Sequence, residues 1–84
     1  MPVVHRAFGY RFVIYVNDHA PPHVHVVGHG GEAKIVLETQ GGLAIQGISV
    51  DWSVGISAGD MQQLLHEATH ARPRLLSEWY RIHG

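Results

Sequence analysis

The residues best equipped for chemistry sit in Asp18-His19-Ala20-Pro21-Pro22-His23-Val24-His25-Val26, where two imidazoles alternate with valine after a diproline. Successive strand side chains point to opposite faces, so an extended segment sends His23 and His25 to one side and Val24 and Val26 to the other. Such a pair can bind a metal, relay a proton or dock a partner. For zinc the two histidines are too few, since a stable site takes three or four ligands, and Asp18, His19 or His29 would have to join them. For proton transfer, Tyr15 and the cations Arg11 and Lys34 could serve the same face. One histidine would then act as base and the cations would stabilise a phosphorane, as in a metal-independent ribonuclease. As a recognition surface the same face offers Tyr15, His23, His25, Lys34 and Gln46 to a protein partner or a second copy, with RNA as a further partner class.

A second constellation, His66-Glu67-Ala68-Thr69-His70, matches the H-E-x-x-H pattern in which two histidines one helical turn apart hold zinc and the glutamate deprotonates bound water. Its context argues for a solvated helix face. Only 14 residues follow His70, and the chain has eight histidines in 84 residues, which makes a chance match common. Both imidazoles fall opposite the apolar stripe of their helix.

The elements that must position these groups are legible from periodicity. Tyr10 to Val16 alternates as a half-buried strand, with Tyr10, Phe12, Ile14 and Val16 on one face and Arg11, Val13 and Tyr15 on the other. Asn17 to Pro22 is a turn-rich loop. A second strand starts near His23, Gly28-His29-Gly30-Gly31 turns it, and Glu32 to Glu38 returns as a third. The pairing that keeps every apolar residue on one side sets Val27 against Glu32, Val26 against Ala33, His25 against Lys34 and Val24 against Ile35. On the other edge, Tyr15 falls opposite His23 and Val13 opposite His25. A turn at Thr39-Gln40-Gly41 is predicted to bring Leu43 to Leu37, Ile45 to Ile35 and Gln46 beside Lys34. After Gly47 the alternation changes phase, which predicts a bulge or a short extra strand through Ile48, Val50, Trp52 and Val54.

Ser57 reads as an N-cap, with Asp60 as its capping-box partner and Ile56 with Met61 as a staple. Met61, Leu64, Leu65, Ala68 and Ala71 form one apolar stripe. Pro73 then kinks the helix or opens a second one carrying Leu75, Leu76 and Trp79. The expected fold is a single α+β domain over residues 1–84. It comprises an antiparallel β-meander of about four strands within residues 8–54 and two C-terminal helices, or one kinked helix, over 57–83 on one face.

Composition bounds the function. Lys and Arg number six against seven Asp and Glu, giving a formal charge of −1, so no global field draws the chain to nucleic acid or an anionic membrane. The absence of cysteine removes disulfides and thiolate metal sites. No segment approaches the roughly 20 apolar residues of a membrane span and no signal peptide opens the chain, so a cytoplasmic protein is expected. A domain this small often gains stability by association, which makes a homodimer or a bound partner the default.

Gly9-Tyr10-Arg11-Phe12, Asn17-Asp18-His19, Pro21-Pro22-His23-Val24-His25-Val26, Gly31-Glu32-Ala33-Lys34, Gly55-Ile56-Ser57 and Trp79 together resemble DUF4160, a family of small prokaryotic proteins of unknown function. The resemblance spans nearly the whole chain. It departs between Thr39 and Ser49, and at Pro73, where the last helix of the family is usually uninterrupted. Genes of this family often neighbour those of DUF2442 proteins, which implies a protein-interaction component of a toxin–antitoxin-like pair. That implication, the ribonuclease-like toxin and a divalent-metal protein are the three functional expectations.

Overall fold

In the computed structural model, which describes residues 2–38 and 47–84, the chain forms five strands and one helix. The strands are β1 (Val3–Ala7), β2 (Tyr10–Val13), β3 (His23–Gly28), β4 (Gly31–Val36) and β5 (Ser49–Val54), and they pair antiparallel in chain order β1-β2-β3-β4-β5. The helix α1 runs Ala58–His83. No helix among the described residues is long and apolar enough to cross a membrane.

The β3–β4 hairpin has the predicted register: His25 faces Lys34, Val24 faces Ile35, Val26 faces Ala33 and Val27 faces Glu32. Val13 also faces His25. This register turns Tyr10, Phe12, Val24, Val26, Ala33 and Ile35 to one side, where they are buried against Leu64, Ala68, Leu75 and Trp79 of α1. His29 and Gly30 make the turn, both at positive φ, with Gly28 and Gly31 as the closing pair.

Several expectations are corrected. The sheet has one strand more than predicted at its start, because β1 carries a short apolar pattern and turns into β2 through Phe8 and Gly9, both at positive φ. Phe8 is not a residue that announces such a turn. The β2 ladder ends at Val13, short of Val16, which is two-thirds exposed. The amide of Tyr15 donates to Asp18, so the expected pairing of Tyr15 with His23 does not extend the β2–β3 ladder.

The second edge of β4 is taken by β5, with Ile35 facing Val50, and so is closed to the expected pairing with Ile45. The predicted turn at Thr39-Gln40-Gly41, Leu43 and Gln46 lie outside the described residues. The phase change after Gly47 is a bulge: Lys34 faces Trp52 and Ile35 faces Val50, leaving Asp51 as the extra residue.

Of the two expected alternatives, two helices or one kinked at Pro73, the described residues form a single helix through Pro73. Its cap is as predicted, with the Ser57 hydroxyl accepting from the Asp60 amide at 3.1 Å. The Asp60 carboxylate, however, receives the Tyr10 hydroxyl at 2.8 Å, tying the helix start to β2. Pro73 lies inside the helix, and both Pro73 and Thr69, whose carbonyl it cannot satisfy, are exposed to water. Leu75 and Trp79, beyond the proline, pack in the same core as Leu64 and Ala68 before it.

The bond to Asp60 holds the Tyr10 hydroxyl protonated above the ordinary tyrosine range, with burial and the carboxylate charge acting the same way. A group whose pKa is raised on folding contributes fully below its unfolded value, near 10, and loses that contribution as pH rises through its folded value. Urea unfolding of wild type and Tyr10→Phe is therefore expected to show wild type the more stable at pH 8, with the gap narrowing above pH ~10.

Candidate functional site

The loop from Ile14 to Pro22 folds so that Asp18 reaches the start of β3. Asp18 is fixed first by its own turn: its amide donates to the Tyr15 carbonyl at 3.0 Å, and its Oδ2 accepts the Tyr15 amide at 3.0 Å. The carboxylate then faces both imidazoles. Nε2 of His23 lies 3.3 Å from Oδ2, and Nε2 of His25 lies 3.6 Å from Oδ1. One donor atom from each of the three residues fits within a sphere of mutual separations no greater than 4.8 Å.

The far side of each ring decides what the near side presents. Nδ1 of His23 lies 2.8 Å from the Pro21 carbonyl, which only accepts, so Nδ1 carries a proton. In neutral His23 the Nε2 lone pair thus points toward Asp18. Nδ1 of His25 lies 3.4 Å from the Glu32 carboxylate, is buried, and forms no aligned hydrogen bond. Both rings therefore turn Nδ1 to an oxygen acceptor and Nε2 to Asp18. Histidines that ligate metals are commonly oriented this way, with the second nitrogen donating to a carbonyl or carboxylate.

Strand parity puts the two imidazoles together as expected, with ring centroids 5.2 Å apart. They do not stand free on an open face. His23 is 3% exposed and its ring lies 5.0 Å from that of Trp79 of α1, so the helix side chain covers the imidazole at the start of β3. The His25 ring is flanked by Tyr15 at 4.9 Å and Trp52 at 6.1 Å. Trp79 is a core residue, as its helical spacing predicts.

The other predicted site residues divide. Lys34 neighbours His25 by register, but its ammonium lies 3.3 Å from Asp51, so the charge around His25 is dominated by Asp18 and Glu32. Arg11 is exposed and lines an adjoining groove whose lining includes Glu32 and Trp52. Neither His19, which is exposed, nor His29, which packs on Tyr10 at the hairpin tip, joins the cluster. The roles of Glu32 and the Pro21 carbonyl were not assigned from sequence. The register does set Glu32 on the polar face with His25 and Lys34; its approach to the His25 Nδ1 comes from the structure.

His66 and His70 are exposed, with ring centroids 4.8 Å apart. Glu67 is drawn away to His5, whose Nε2 it meets at 2.6 Å, while Arg74 bonds the opposite nitrogen of His5 and the Val4 carbonyl. The glutamate of the H-E-x-x-H match thus fastens the helix to β1.

An α+β protein with a loop-to-strand aspartate–histidine cluster is the class these features define. The chain matches the family described as domain of unknown function DUF4160 over residues 9–80, and it belongs to that family. No curated protein and no solved structure matches it.

Asp18→Ala removes the acceptor for the Tyr15 amide and the group facing both rings. The expected loss is about 1–3 kcal/mol of unfolding free energy in urea, with faster hydrogen exchange at the Tyr15 amide.

Proposed function

We propose that this protein binds one divalent transition metal, zinc in the first instance, through Asp18, His23 and His25. The observation that carries the reading is the convergence of both Nε2 atoms on one carboxylate while both Nδ1 atoms turn to oxygen acceptors. Donor atoms around a tetrahedral zinc with bonds of about 2.0–2.1 Å lie about 3.3 Å apart, close to the spacing of His23 and His25 from Asp18. Imidazole and carboxylate donors suit zinc and its first-row neighbours, and the chain has no cysteine to compete. Three protein ligands leave a coordination position for water or another small donor. Glu32 then acts through His25, holding its ring and raising its basicity.

The ribonuclease reading draws less support. A phosphate approaching His23 and His25 meets Asp18 and Glu32, and the nearby Lys34 is already paired with Asp51.

Calorimetric titration of untagged, metal-stripped protein with zinc is expected to give one site per chain that is lost in His23→Ala and Asp18→Asn. The double variant His66→Gln/His70→Gln is expected to keep it, which separates this site from capture by the exposed histidine pair. A titration without saturable heat, or an unchanged isotherm in both His23→Ala and Asp18→Asn, would overturn the reading.

A second reading, association with a protein partner in a toxin–antitoxin-like pair or with a second copy in the cytoplasm, is favoured by β5. All six of its residues are exposed, it is the last strand of the sheet among the described residues, and Trp52 and Val54 are 40% and 68% exposed. An edge strand of this kind offers backbone donors and acceptors to another chain. Val54→Lys is expected to abolish copurification with the DUF2442-type product of an adjacent gene, or to shift a homodimer to monomer in sedimentation. Monomeric wild type that ignores that product counts against the reading.

A further inference from the structure

We propose that the groove beside the aspartate–histidine cluster binds a ribonucleotide, with Arg11 and Arg6 holding its phosphate, Glu32 its ribose hydroxyls and Trp52 its base. The inference goes beyond the metal site and does not require it.

The groove has a volume of about 530 Å³, within the range of small-ligand sites, and is lined by Arg11, Val27, the Gly28–Gly31 turn, Glu32, Trp52 and Val54. Its floor follows from register. Arg11 faces Val27, Val27 faces Glu32 and Glu32 faces Val54, so these side chains form one row across four strands. Trp52, opposite Lys34, stands in the adjoining row. The groove is therefore graded from a cation at one end, through a carboxylate, to an indole and a valine at the other.

Arg6 adds an independent observation. It faces Arg11 directly across β1 and β2, and both are exposed. Like charges directly opposite on neighbouring strands repel. Among the described residues, no carboxylate lies within ion-pair distance of either. An anion placed between the two guanidinium groups relieves that repulsion with charge-assisted hydrogen bonds, and phosphate fits their fork geometry.

The rest of the groove selects what the anion is attached to. Glu32 repels a second phosphate at the centre but accepts from hydroxyl donors, which is what a ribose diol presents. Trp52, 40% exposed, offers a face on which a base stacks, and Val54 of the same strand adds apolar surface at that end of the groove. Anion, hydroxyls and planar aromatic in that order describe a ribonucleotide, either free or as one residue of a single-stranded RNA.

The test uses calorimetry and tryptophan fluorescence on the whole chain, stripped on a chelating resin so that failure of the metal reading leaves the result interpretable. The probes are adenosine 5′-monophosphate, its 2′-deoxy counterpart and a six-residue oligoadenylate. Trp79 is buried, so quenching reports Trp52. Saturable quenching is expected, weakened about tenfold or more in calorimetry by Arg11→Gln or Trp52→Ala and about fivefold by loss of the 2′-hydroxyl. Tighter binding of the oligomer than of the mononucleotide assigns the site to single-stranded RNA, and the reverse assigns it to the free nucleotide. Both side chains are exposed, so unchanged circular dichroism is expected for the variants. Absence of saturable quenching by either ribonucleotide probe, or wild-type affinity in Arg11→Gln and Trp52→Ala, overturns the proposal.

Discussion

The turn that carries Asp18 to the mouth of β3 is the constraint on which the site depends. A carboxylate only 16% exposed must be satisfied by fixed donors or by charge, and the Tyr15 amide supplies one donor. The remaining capacity of the carboxylate points at two imidazole nitrogens, and the acceptors on the far side of each ring limit how those rings can turn. For His23, position and tautomer are thus set together. An aspartate without the Tyr15 amide would sample other rotamers, and the histidines without Asp18 would lose the group on which they converge.

The sheet contributes a rigid platform rather than chemistry. Apolar alternation in β2, β3 and β4 fixes which face of each strand meets α1, because a slip of one residue would expose Phe12, Val24 and Ile35 together. Parity then leaves His23, His25, Lys34 and Glu32 on the opposite side. Polar clamps tie the helix to the sheet along its length: Tyr10 with Asp60 and His5 with Glu67 toward the N-terminal half of α1, and Arg74 with the Val4 carbonyl and His5 further on. The C-terminal half is anchored by Leu75 and Trp79, and Trp79 closes over His23. Packing of the helix and shielding of the site are therefore one event.

The β3–β4 hairpin was legible down to its residue pairs, because alternating valines and a glycine-rich turn leave a single register that keeps apolar groups dry. The helix start was legible through Ser57. β1 was not, since it is short and its turn uses Phe8 where a glycine or asparagine would have signalled it. The partner of β4 was misassigned for a related reason. Ile45 and Val50 both satisfy the apolar pattern, and periodicity cannot say which of two similar segments reaches an edge. The unbroken helix at Pro73 reflects tertiary contacts outweighing a local preference, at a point where both the proline and Thr69, whose carbonyl it leaves without its helical donor, are exposed.

Sequence by itself determined that His23 and His25 share a face, that Asp18 lies in a loop close enough to reach them, and that the chain is α+β. Those facts follow from a period of two and from short chain distances. Only the tertiary structure decided that Glu67 serves His5, that Lys34 is matched by Asp51, that the Pro21 carbonyl holds the His23 imidazole while Glu32 lies beside that of His25, and that Trp79 packs on His23. Each of these depends on the angle at which a side chain meets a group distant in sequence or fixed by a turn, and spacing along the chain carries no information about such angles.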